Sequence, residues 1–121
     1  IGDLKIKVPI IQGGMGIGIS LSKLASAVAN MGGVGIISTV GIGQTGNQKK
    51  LGWKKGNIEG LKLEIRKARK LSSGVLGVNI MSVLTDFSDI IWKSDWKIKV
   101  QMLFCFFQAY NGIILSASFC Y

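Results

Sequence analysis

At 121 residues, 48% of them hydrophobic, the chain has room for one domain with a modest core and is too apolar to be disordered. With 17 glycines against one proline it suits an α/β protein with tight turns. A net charge of +9 without a single histidine excludes Ser-His-Asp and Cys-His catalysis by these residues, and Cys105 and Cys120, outside CxxC spacing, argue against zinc.

The first element is a short apolar run, Val8 to Gln12, which predicts a strand buried on both faces with Pro9 tolerated at its start. A glycine-rich loop, GGMGIGI, fills residues 13–19, and Ser20 or Ser22 is placed to cap the helix behind it. Leu21, Leu24, Ala25, Val28 and Met31 recur at helical spacing and predict a helix over 21–31 with that stripe buried. Gly32-Gly33 supplies a left-handed C-terminal cap, and Val34 to Ser38 is the second strand. Residues 41–57 read as a long polar connection. A second helix is expected from about Ile58 to Leu71, burying Ile58, Leu61, Ile65 and Ala68, followed by a third strand from Leu76 to Ile80. Ser82 or Thr85 would start a further helix through Phe87, Ile90 and Ile91.

After Ile91 the pattern changes. No clean stripe follows, and no charge occurs from Val100 to Tyr121. That length would span a bilayer, but Gln101, Gln108, Asn111 and Gly112 dilute it, so a fourth strand and fragments packed on a core are the expectation. Strands alternating with helices imply a parallel sheet with right-handed crossovers, the opening of either a doubly wound sheet or a (β/α)8 barrel. A whole barrel needs roughly 200 or more residues, so only its first three or four units are expected.

The basic residues suit a wet surface. Lys62, Arg66, Lys67, Arg69 and Lys70 fall on one helix without interleaved aromatics, which argues against nucleic acid. Nothing at the start resembles a signal peptide, and a reducing cytoplasm is the expected compartment.

Two glycine patterns stand at strand ends. Gly41-Ile-Gly43-Gln-Thr-Gly46 has the letters of the dinucleotide fingerprint, but the residues behind Gly46 do not read as the helix that must hold a pyrophosphate. Gln12-Gly13-Gly14-Met15-Gly16 is better placed, at the carboxyl end of the first strand, where α/β proteins bind ligands. Its glycines either let backbone approach a flat ring, with the Met15 thioether against it, or merely turn a strand into a helix. Asn79, ending the third strand in GVNIM, either offers its amide to the same mouth or satisfies local backbone.

The runs PIIQGGMG, LASAVANMGGVGII, EIRKARKL and GVNIM, in order across residues 4–91, resemble the N-terminal part of the nitronate monooxygenase family, formerly called 2-nitropropane dioxygenases. The related FMN-dependent enoyl-acyl-carrier-protein reductases share this opening. The resemblance implies an α/β fold that is a partial (β/α)8 TIM barrel of the FMN-linked oxidoreductase type. It implies that Gly13, Gly14 and Met15 lie against the isoalloxazine of FMN and that Asn79 contacts the flavin, with Gln12 and Thr39 nearby. Intact relatives oxidise nitronates with FMN and oxygen, or reduce enoyl thioesters with FMN and a nicotinamide. The family's catalytic histidine and its phosphate-holding loops come later than anything this chain matches.

The expectation is therefore a truncated portion, inactive alone and weak in FMN binding. Residues 1–91 would be barrel units, and residues 92–121 a divergent apolar tail resembling the product of a shifted reading frame. Self-association is expected through unpaired strand edges, with Val8, Ile10, Val34, Ile36 and Val78 left partly uncovered. A small non-catalytic α/β module holding a ligand at Gly13–Gly16, and a basic membrane-associated protein, are the readings from other classes.

Overall fold

The computed structural model describes residues 5–81, 102–109 and 112–118, with side chains over 5–80. The elements are α1 (Ser22–Asn30), β1 (Gly35–Ser38), α2 (Trp53–Leu71), β2 (Leu76–Met81), β3 (Met102–Ala109) and β4 (Gly112–Ser118). One sheet runs in the order β1-β2-β3-β4, with β1–β2 and β2–β3 parallel and β3–β4 antiparallel. The α/β alternation expected from the sequence is present in β1, α2 and β2. β3 and β4 occupy the stretch for which a fourth strand was expected. Among the described residues no helix is long and apolar enough to cross a membrane. The helix expected from Ser82 or Thr85 lies outside the described residues.

The strand expected over 8–12 is reduced to one parallel bridge, Ile11 to Val34. The cause is local. Pro9 has no N–H, and the Ile10 N–H turns back to the Val8 carbonyl at 2.7 Å rather than joining a ladder. Gln12 N–H and Val34 N–H still bond across, to Val34 and Ile10 carbonyls at 3.0 and 2.9 Å, so the segment runs alongside β1.

α1 ends as its glycines direct. Gly32 takes φ +91°, its N–H bonds Ala29 O, and the Gly33 N–H bonds Val28 O at 3.2 Å, the paired bonds of a Schellman motif. Its buried face differs from the expected stripe: Ser22, Ala25, Ser26 and Ala29 are buried, whereas Leu24 and Met31 are 37% and 78% exposed. Close approach decides this. A Cβ on Gly35 would strike the Ala25 carbonyl, and Ser26 Oγ bonds the Ala68 carbonyl at 3.2 Å, so only small residues fit between α1, β1 and α2.

α2 starts at Trp53, earlier than the apolar pattern suggested, and the connection before it holds two 3-10 turns, Ile42–Gln44 and Gly46–Leu51. Gly56, Asn57 and Gly60 look like loop residues by propensity. They are helical because the first 3-10 turn sits on them: Gly43 packs on the Gly56 backbone, and its N–H bonds Asn57 Oδ1 at 2.9 Å. The expected stripe of Ile58, Leu61, Ile65 and Ala68 is buried. These residues join Ala25, Ile37, Ile42, Leu76, Val78 and Ile80 in the main core.

The other face of β1 carries Val34 and Ile36, covered by Ile6 and Val75. The expectation that Val34, Ile36 and Val78 stay partly uncovered is therefore corrected. Val78 faces the helices, and all three are buried, while Ile10 is 60% exposed.

Candidate functional site

The carboxyl ends of residues 8–12, β1 and β2 converge on one mouth, and the glycine loop forms its rim. Gln12 anchors the loop. Its Oε1 accepts from Ile36 N–H at 3.2 Å and its Nε2 donates to Ile36 O at 3.1 Å, so the side-chain amide pairs with β1 as backbone would. Gly14 then lies against Asn79: a Cβ on Gly14 would be 2.5 Å from Asn79 Cβ and 2.8 Å from its Oδ1. Two motifs far apart in the chain are thus in contact, and only glycine permits it. Gly13 is different, because among the described residues a Cβ there would meet nothing within 4 Å beyond its chain neighbours. Beside it Met15 is 46% exposed.

Thr39 N–H bonds Asn79 O at 3.0 Å, closing the strand ends together. Ser38 is the register partner of Asn79, so both side chains stand on the same face of the sheet. Ser38 Oγ and Thr39 Oγ1 are buried and have no hydrogen-bond partner among the described residues. Unmet buried hydroxyls are uncommon and costly. The structure thus gathers Gln12, Gly13, Gly14, Met15, Thr39 and Asn79 in one region. The sequence reading passed over Ser38, whose place was signalled by the period-two alternation from Ile36.

Neither Ser20 nor Ser22 caps α1 with its side chain, contrary to expectation. The Ser22 N–H is taken instead by Glu64 Oε2 of α2 at 3.0 Å. Glu64 Oε1 also pairs with Lys67 Nζ at 2.7 Å. Burial pushes the Glu64 carboxyl up, but the bonds from Lys67 and Ser22 outweigh it and hold the group below the usual glutamate value. The helix N-terminus directly behind the glycine loop is therefore already occupied by an anion. A groove of about 620 Å³ opens beside this pair, lined by Ile19, Leu24, Lys67, Lys70 and Leu71, and neither Gly13, Gly14 nor Asn79 lines it. The dinucleotide-like run is used in packing, with Gly41 at φ +62° opening the 3-10 turn and Gly43 against α2.

A protein-family model described as nitronate monooxygenase matches residues 1–112, continuing past Ile91. No curated protein matches the chain.

Proposed function

The chain belongs to the nitronate monooxygenase family, and we propose on that footing that its strand-end mouth receives the ring of FMN. The family is one of FMN-dependent oxidoreductases acting on a small molecule. When bound, FMN supplies electron transfer between a nitronate and oxygen.

The residues present fit the ring. Gly13 leaves an open face, Met15 a partly exposed thioether, and Asn79 an amide with both donor and acceptor. The unmet hydroxyl of Ser38, on the same face of the sheet as Asn79, adds a buried polar group beside them. Gln12 spends its amide on Ile36 and supports the loop from beneath. The phosphate fits less well here. Backbone N–H groups at a helix start are the usual anion cradle, but Glu64 already fills that of α1. The parallel β1–α2–β2 unit is read as an early part of a (β/α)8 barrel, whose ligands lie at the carboxyl ends of the strands. These 121 residues contain no imidazole. They orient a flavin and exclude water from one of its faces, and contribute no histidine base to turnover.

The observation carrying this reading is the contact of Gly14 with Asn79, which joins the loop to the strand end. Fluorescence titration of the chain with riboflavin and with FMN tests it. The two should bind within about threefold of each other, because Glu64 already fills the N-terminus of α1, the helix behind the loop, and both more weakly than about 1 µM. Failure of both to bind, or FMN binding far tighter than riboflavin, would overturn it.

A further inference from the structure

We infer that Ser20, a residue with the sequence position of a helix cap, is the positioning residue of the glycine loop and sets its ring-receptive shape. The inference rests on the flavin reading above. Ser20 is completely buried. Its Oγ donates to Gly13 O at 3.1 Å and accepts from Met15 N–H and from Gln12 Nε2, each at 3.0 Å. A serine hydroxyl offers one donor and two acceptor sites, so all its capacity is used, and all on the loop. Its backbone does the same work: Ser20 N–H bonds Met15 O at 3.0 Å, and Ser38 N–H bonds Ser20 O at 2.9 Å.

Among the described residues, every hydrogen bond of Gly13 and Met15 therefore runs to Ser20. The same residue fastens them to the end of β1, next to Asn79. Leu21 stands at the N-cap of α1 and the Ser22 N–H is taken by Glu64, so the Ser20 hydroxyl serves the loop and not the helix start. Removing the hydroxyl strips partners from Gln12, Gly13 and Met15 together. A run of consecutive glycines has little conformational preference of its own to hold the loop after that.

Ser26 provides the contrast. It is similarly buried, and its one hydroxyl hydrogen is shared between Ser22 O at 2.6 Å and Ala68 O at 3.2 Å, both at the helix interface. The test compares Ser20→Ala, Ser20→Thr and Ser26→Ala in the full chain by amide hydrogen exchange at Met15 and by riboflavin titration. Ser20→Ala should speed Met15 exchange and weaken riboflavin by about tenfold, from the joint loss of several modest bonds. Ser20→Thr should restore both, and Ser26→Ala should lower the melting temperature with riboflavin affinity unchanged. Met15 exchange unchanged in Ser20→Ala would overturn the inference, and so would faster exchange with unaltered riboflavin affinity; in both cases the flavin reading stands. A wild-type chain that binds no riboflavin would overturn both.

Discussion

On their helix-facing side, β1 and β2 set Ile37, Leu76, Val78 and Ile80 against Leu61, Ile65 and Ala68, a layer of apolar side chains. At the carboxyl ends of the same strands stand Ser38, Thr39 and Asn79, equally buried but polar, with two hydroxyls left unmet and a glycine loop folded over them. Burial alone does not distinguish the two regions; chemistry does. The first satisfies itself and holds the fold, while the second carries polar groups that cost stability until something meets them. If that division is right, substitutions in the two regions should separate stability from ligand binding.

The largest effect is expected at Gly35. An alanine there drives its Cβ into the Ala25 carbonyl, so α1 must leave β1, and circular dichroism should show loss of cooperative folding. Next is Leu61→Ala, which empties a fully buried site in the main core and should cost about 3 kcal/mol in denaturant unfolding. Riboflavin affinity of the fraction still folded should not change. A parallel fall in intrinsic affinity would mean that the two regions are not separable.

Glu64 should give a smaller, pH-dependent effect. Its folded carboxyl is held low by Lys67 and by the Ser22 N–H against the opposing effect of burial. Its contribution is therefore present at neutral pH and is lost as pH falls through the ordinary glutamate value toward the lower folded one. Glu64→Gln should cost about 1 kcal/mol at pH 7, the usual worth of a helix cap. Its melting temperature should fall less steeply in acid than that of the wild type. Identical slopes would show that the carboxylate is not what caps α1.

Gly14→Ala should disturb the mouth with little effect on the core. The new Cβ pushes Asn79 aside, and riboflavin affinity should drop by more than about tenfold while unfolding shifts by about 1 kcal/mol.

Much of the stable region was legible in sequence from local signals. The stripe of α2 follows from helical spacing, the Gly32-Gly33 stop from the left-handed freedom of glycine, and β1 and β2 from their short apolar runs. What was not legible depends on partners distant in the chain. α1 turns its small residues inward because Gly35 and Ala68 approach too closely for leucine. α2 begins among glycines because Gly43 needs them. The first strand dwindles to a bridge because the Val8–Ile10 turn takes up a ladder donor.

At the mouth, Gly14 and Asn79 were readable as strand-end motifs, and the structure adds their contact. Ser38 could have been read from alternation. Ser20 and Glu64 could not, since each side chain serves residues that its own local pattern does not indicate.

Gly13→Ala gives the most direct test of the division between the two regions. Among the described residues, no atom beyond its two chain neighbours lies within 4 Å of the added methyl, so the fold should lose little there. A ligand lying on the loop has no such room. Melting temperature and riboflavin dissociation constant, measured on the same preparation, should show no change in the first and an increase of about tenfold in the second. A lowered melting temperature, or an unaltered dissociation constant, would contradict the assignment of this mouth to a flavin ring.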